Sequence, residues 1–198
     1  VDVMLFLSVL FHAHAKPMIT FAKIVKSQSA LEEVDTDDFH VRLRWPFCPS
    51  YPDNMCTTRM WVDIEIHIDG YVQRRNASHE SWYEIIQQTQ KDVVPLSNAL
   101  QNYYTQEGIS DMATKAGIVH GMIKAVHYAY DNCDARRDDS ECKPEDSIGW
   151  TEYPKYGLEF LVDQKGDCED AAIITSTLFE NIGIESWLVN WNSNIKGR

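Results

Sequence analysis

The stretch Tyr153 to Glu185, YPKYGLEFLVDQKGDCEDAAIITSTLFENIGIE, sets one cysteine between two acidic residues, directly after Gly166 and Asp167. Asp167 reads as a helix N-cap, and Asp170, three residues on, as the acidic member of a capping box. A helical period follows, with Ile173, Ile174, Thr177 and Leu178 inward and Gly183 as the stop. Cys168 is therefore predicted at the first helical position. There the helix dipole and the unpaired N–H groups favour a thiolate, lowering a thiol pKa that starts at about 8.5. The same amides suit an oxyanion. Asp167, Glu169 and Asp170 push the other way, so a nucleophile here needs a histidine to take its proton. The plainer reading is a thiol packed into the core.

Outward from this turn the period changes twice. Residues 39 to 73 read as strand-rich: FHVRLRW alternates, and MWVDIEIHID puts Val62, Ile64, Ile66 and Ile68 on one face with Asp63, Glu65, His67 and Asp69 on the other. A Pro-rich, hairpin-like connection joins them. Beyond Asn76 the pattern is helical. Ser78 is a capping residue, and Ser81 with Glu84 matches a capping box. VVPLSNALQNYYTQEG and DMATKAGIVHGMIKAVHYAYDN continue as helices, the second spaced by Ile118, Met122, Val126 and Tyr130. An acidic loop over 131–150, a helical turn around Tyr156 to Leu161 and a closing strand, IESWLVNW, complete the outline.

The chain has 198 residues and is 44% hydrophobic, enough for one domain with a buried core. Its net charge of −12 with no basic run argues against nucleic acid as a partner. Of five cysteines, Cys48 with Cys56 and Cys133 with Cys142 each bracket a short polar loop, the kind a disulfide staples, and Cys168 is left over. The competing reading is five reduced thiols. No C-x-x-C pair or tight Cys/His cluster marks zinc, and no cofactor is expected. VMLFLSVLF with AHA at 13–15 reads equally as a leader or as a buried edge element, although Asp2 stands where a leader carries positive charge. The apolar run is too short to span a bilayer, but it leaves membrane association through the N-terminus open. A start at Val1 is expected of a mature product or a fragment. Two disulfides and the acceptor sequence Asn76-Ala77-Ser78 together favour an extracellular or cell-surface setting.

The residues Tyr153, Pro154, Tyr156, Glu159, Leu161, Gly166, Asp167, Cys168, Glu169 and Asp170 resemble the transglutaminase-like superfamily, especially its archaeal and bacterial branch of cysteine peptidases. Weaker similarity runs through RMWVDIEIHIDGYVQRR and HYAYD, so that 39–191 is touched and the cysteine turn alone is specific. The resemblance implies an α+β, papain-like fold over 39–198, with 1–38 as an extension (leader, anchor or edge element). It also implies a Cys–His–Asp triad in which the thiol attacks an amide carbonyl. Three departures stand out. Gly157 replaces a common proline, Phe160 a common threonine, and Met122-Ile123-Lys124 the usual Phe-Val-Gln. No histidine follows Cys168, so the histidine and aspartate of the triad are expected beyond Arg198.

The other histidines read blandly. His67 with Asp69 shares a strand face in a dyad-like spacing but precedes the cysteine, and a solvent-facing strand residue is the better reading. His120 and His127 read as packing or surface residues, His12 and His14 as an isolated pair. The aspartates of DNCDARRDDSEC lack the spacing of a calcium loop. The expected function is thus a cysteine enzyme acting on peptide or amide bonds through a thioester at Cys168, with hydrolysis favoured over crosslinking. Trp150, Tyr153 and Tyr156 are expected to line the approach for a protein or peptide substrate. The alternative is a non-catalytic binding, surface or assembly module that kept the fold without its triad. Oligomeric state is not readable.

Overall fold

The computed structural model describes residues 18–26, 40–49, 59–129 and 153–188. Three strands, β1 (Ile19–Lys26), β2 (His40–Phe47) and β3 (Met60–His67), form an antiparallel sheet in the order β1-β3-β2. Helices α1 (Ile68–Arg75), α2 (Trp82–Asp92), α3 (Val94–Gln106) and α4 (Met112–Lys124) follow. Then come a two-residue strand β4 (His127–Tyr128), α5 (Gly157–Asp163), another short strand β5 (Lys165–Gly166) and α6 (Cys168–Asn181). The molecule is mixed helix and sheet, as the α+β expectation requires. Among the described residues no helix is long and apolar enough to cross a membrane.

Alternation along the central strand sets the core. Met60, Val62, Ile64 and Ile66 are buried and meet Leu96, Leu100 and Tyr104 of α3 and Ile118 and Met122 of α4. Asp63 is on the opposite face, as the alternation predicts, and is buried beneath two arginines: Arg42 donates twice, at 2.8 and 2.7 Å, and Arg44 once at 2.8 Å. Burial raises the carboxyl pKa, but the two guanidiniums outweigh it and leave it lowered. Cross-strand register explains the match, since Arg44 faces Asp63 directly.

The strand pattern overran at one end. Ile68 keeps the period of two but begins α1, because the chain turns at His67, whose N–H donates to Met18 O at 2.8 Å. The closing strand is also corrected: residues 184–188 are irregular. Gly183, at φ 83°, ends α6, Ile184 N–H returns to Phe179 O at 2.8 Å, and Ser186 N–H to the Glu180 carboxylate at 2.6 Å. These bonds fold the chain back on the helix instead of releasing it into a sheet. At the other end, β1 lies inside the segment set apart as 1–38 and is an edge strand of the same sheet. The apolar run before it, the calcium-like loop and Trp150 lie outside the described residues. Cys48 is disulfide-bonded; Cys56, Cys133 and Cys142 also lie outside them.

Two contacts lock α4 to β2. The Trp45 indole N–H donates to Met122 O at 3.2 Å, and the backbone after β2 presses on Gly121, where an added Cβ would stand 2.0 Å from Cys48 O. A backbone atom cannot yield cheaply. Gly121→Ala is therefore expected to lower the unfolding free energy by about 2 kcal/mol, the usual scale of core overpacking. Denaturant titration checks it, and an unchanged midpoint would show that α4 does not sit this close.

Candidate active site

The cysteine turn is built from a buried carboxylate. Asp170, in the first turn of α6, is 1% exposed. One of its oxygens accepts from Lys155 N–H at 2.7 Å and the other from Asp167 N–H at 3.3 Å. The reciprocal Asp167 arm completes the capping box read from the sequence. Gly166 is required beside it, because a Cβ there would lie 2.5 Å from the Phe160 ring and 2.7 Å from Asp170 Oδ2. Gln164 takes the left-handed conformation at φ 51°, turning the chain from α5 into β5. Its carbonyl then accepts from His127 N–H at 3.2 Å, while Gly166 O accepts from Ala129 N–H at 2.9 Å. The parallel pairing of β4 with β5 brings Tyr128 opposite Gly166, two residues ahead of Cys168.

Cys168 stands at the first position of α6, exposed and with a free thiol. It opens into a cleft of about 910 Å³, whose walls include His120, Lys124, His127, Tyr128, Phe179 and Trp187. Sequence reading left His120 and His127 as packing or surface residues; both are exposed, and both line this cleft. Their spacing of seven along the chain was the available signal, but the β4–β5 pairing that brings His127 to the turn leaves no trace in the sequence. Tyr128, like them, was missed.

The sulfur's electrostatics resolve the contest set up by the sequence. Burial within the cleft wall is the largest influence and raises the thiol pKa. Glu169 follows: the thiol donates to its Oε2 at 3.3 Å, a bond that stabilises the neutral form, and its charge adds to the effect. Asp167 contributes in the same sense, whereas a hydrogen bond from the Tyr128 hydroxyl favours the thiolate. The carboxylates and desolvation win, and the resting group is a thiol. Asp167, Cys168 and Glu169 also bring their ligand atoms within 4.8 Å of one another.

The aromatic residues of the motif do different work from that expected. Tyr153 and Tyr156 are not among the residues lining the cleft. Tyr156 is 5% exposed and its hydroxyl donates to Ser78 O at 2.9 Å. Tyr153 stacks on His79 at 4.1 Å and donates to Glu159 Oε1 at 3.1 Å. Glu159 is fully buried; its other oxygen meets His79 Nε2 at 2.7 Å and accepts from Tyr156 N–H at 3.1 Å. Burial and this carboxylate push the Tyr153 phenol well above its usual range. Both tyrosines thus brace α5, which feeds the turn. Gly157, standing where proline was expected, donates its N–H to Thr89 Oγ1 at 2.9 Å, a bond proline cannot make. Phe160 and Met122 are buried in the core, and Lys124 lies on the cleft wall. His67, the dyad candidate, has Nδ1 3.9 Å from Asp69 Oδ2, packs edge-on to His40, and does not line the cleft.

No protein-family model, curated protein or solved structure matches the chain, and the site's chemistry rests on its own geometry.

Two substitutions probe the sulfur's balance. Glu169→Gln removes the strongest anionic influence and is expected to speed iodoacetamide labelling of Cys168 at pH 7 severalfold, with the rate profile moving to lower pH. Tyr128→Phe is expected to move it to higher pH. Mass-spectrometric labelling rates between pH 6 and 10 check both directions, and coincident profiles would refute the assignment. Glu159→Ala, which leaves the His79 ring, the Tyr153 hydroxyl and the Tyr156 N–H around an emptied buried site, is expected to cost about 3 kcal/mol in a denaturant titration.

Proposed function

We propose that this chain is a transglutaminase-like cysteine enzyme, with a papain-like core, that cleaves peptide or other amide bonds through Cys168. One observation carries the reading: a thiol at the start of a helix opens into a cleft whose wall also holds two histidines. The attack joins Sγ to the carbonyl carbon, and the thiol proton passes to a histidine of the wall. As the tetrahedral intermediate collapses, the C–N bond breaks and the amine leaves with that proton. Water then hydrolyses the thioester, releasing the acid and restoring the thiol. The amide of Cys168, at the first helical position, has no carbonyl one turn back to bond, and points at an oxyanion held there. Hydrolysis is preferred to crosslinking because nothing among the described residues of the cleft marks a site for an amine acceptor.

A second reading, a binding module at the cell surface that retains the fold without catalysis, is favoured by the raised thiol pKa. The two differ in a direct assay. Incubated with a complex mixture of unmodified peptides, the enzyme is expected to create new peptide termini faster as pH rises from 6 to 9, following thiol ionisation. Cys168→Ala abolishes them. Peptides that bind both forms with no new termini from either establish the binding module instead.

A further inference from the structure

We infer that Asp167, Cys168 and Glu169 form a site for a zinc-like divalent cation, and that the bound ion covers the sulfur and blocks its use as a nucleophile. This deepens the reading above by giving its site a means of regulation. It rests on that reading only in taking the blocked thiol as the attacking one.

Two observations point to the ion. The first is a convergence of ligands: Cys168 Sγ and one carboxylate oxygen each from Asp167 and Glu169 lie within 4.8 Å of one another. Consecutive residues of a helix point apart. These three meet because Asp167 is still extended, at φ −106° and ψ −157°, while Cys168 opens α6. Sγ stands 3.3 Å from Glu169 Oε2. Zinc bonds of about 2.3 Å to sulfur and about 2.0 Å to oxygen, at a tetrahedral angle, separate two such ligands by about 3.5 Å. The pair therefore spans one edge of a coordination shell with little movement.

The second observation is a buried orphan. Asp167 is 7% exposed and borders the cleft beside Cys168. Its Oδ1 is shut away from solvent and, among the described residues, meets no hydrogen-bond donor. A carboxylate oxygen stripped of water and left without a donor is costly, more so with a second carboxylate close by. A cation lodged among the three side chains satisfies that oxygen and offsets their mutual repulsion. Sulfur among the ligands selects zinc-like ions over calcium and magnesium, which favour oxygen alone. On binding, the metal–sulfur bond forms as the S–H bond breaks and the proton leaves to solvent, with no change of oxidation state. Water completes the shell.

Protection from alkylation tests the site without requiring turnover. Iodoacetamide labelling of Cys168 is followed by mass spectrometry at pH 8 while zinc chloride is titrated in. Saturating zinc is expected to slow labelling at least about tenfold and EDTA to restore it, whereas calcium chloride leaves the rate unchanged. In each variant the rate with zinc is divided by the rate without it, so differences in thiol reactivity cancel. Asp167→Asn retains a good N-cap, and Glu169→Gln retains the side chain's shape. Each is expected to raise the zinc concentration for half protection by about tenfold or more. Cobalt(II) in place of zinc is expected to give a sulfur-to-metal charge-transfer absorption that Cys168→Ser removes. Labelling that zinc leaves unchanged overturns the proposal. So does an unaltered midpoint in both carboxylate variants, the behaviour of a thiol binding metal alone. If zinc protects Cys168 while no peptide mixture is cleaved, the metal site stands and the catalytic reading falls. Cys168-dependent cleavage that saturating zinc does not slow does the opposite.

Discussion

A single buried carboxylate carries the site. Asp170 accepts one hydrogen bond from the backbone at Lys155 and another from the backbone at Asp167, so the segment entering α5 and the turn entering α6 are tied through one side chain. The bonds are charge-assisted and almost wholly removed from water, which makes the arrangement stiff as well as strong. Gly166 follows from it, because the backbone must pass between that carboxylate and the Phe160 ring. So does the position of Cys168: with Asp170 at the third helical position, the first can only be at the rim of the cleft. Glu159 performs the matching task one helix earlier, gathering His79, Tyr153 and the N–H of Tyr156 into the base on which α5 stands.

The same cluster that builds the turn works against ionisation of its sulfur. Burial in the cleft wall is the first influence holding the proton on the thiol, Glu169 the second, and Asp167, an arm of the capping box, adds to both. Tyr128 partly offsets them. A nucleophile arranged in this way stays unreactive until something takes its proton, and two histidines, His120 and His127, line the same cleft. The design separates holding the sulfur in place from activating it.

Much of this was legible along the chain, for reasons that differ by element. The capping box and the helix after it use residues three and four apart, so the position of Cys168 could be read without tertiary information. Alternation through Val62, Ile64 and Ile66 likewise exposed the central strand. What escaped was set by partners distant in sequence. The burial of Asp63 depends on Arg42 and Arg44 of the neighbouring strand, a pairing that the alternation alone does not reveal. Tyr153 and Tyr156 looked like substrate-gripping rings because their partners, His79 and Ser78, lie more than seventy residues earlier. His127 and Tyr128 reached the cleft through a two-residue parallel pairing that has no periodic signature. The strand expected over 184–191 failed at residues 184–188 because the Phe179 carbonyl and the Glu180 carboxylate of α6 capture that backbone.

The central claim is that the sulfur held by this turn carries the acyl group during amide cleavage. Acid-quenched intact-mass measurement, taken within the first turnovers on a cleaved peptide, tests it most directly. The account predicts a transient mass increase equal to the acyl portion of that peptide, located on Cys168 and lost on raising the pH. Cleavage that proceeds with no adduct, or with an adduct on another residue, would contradict it.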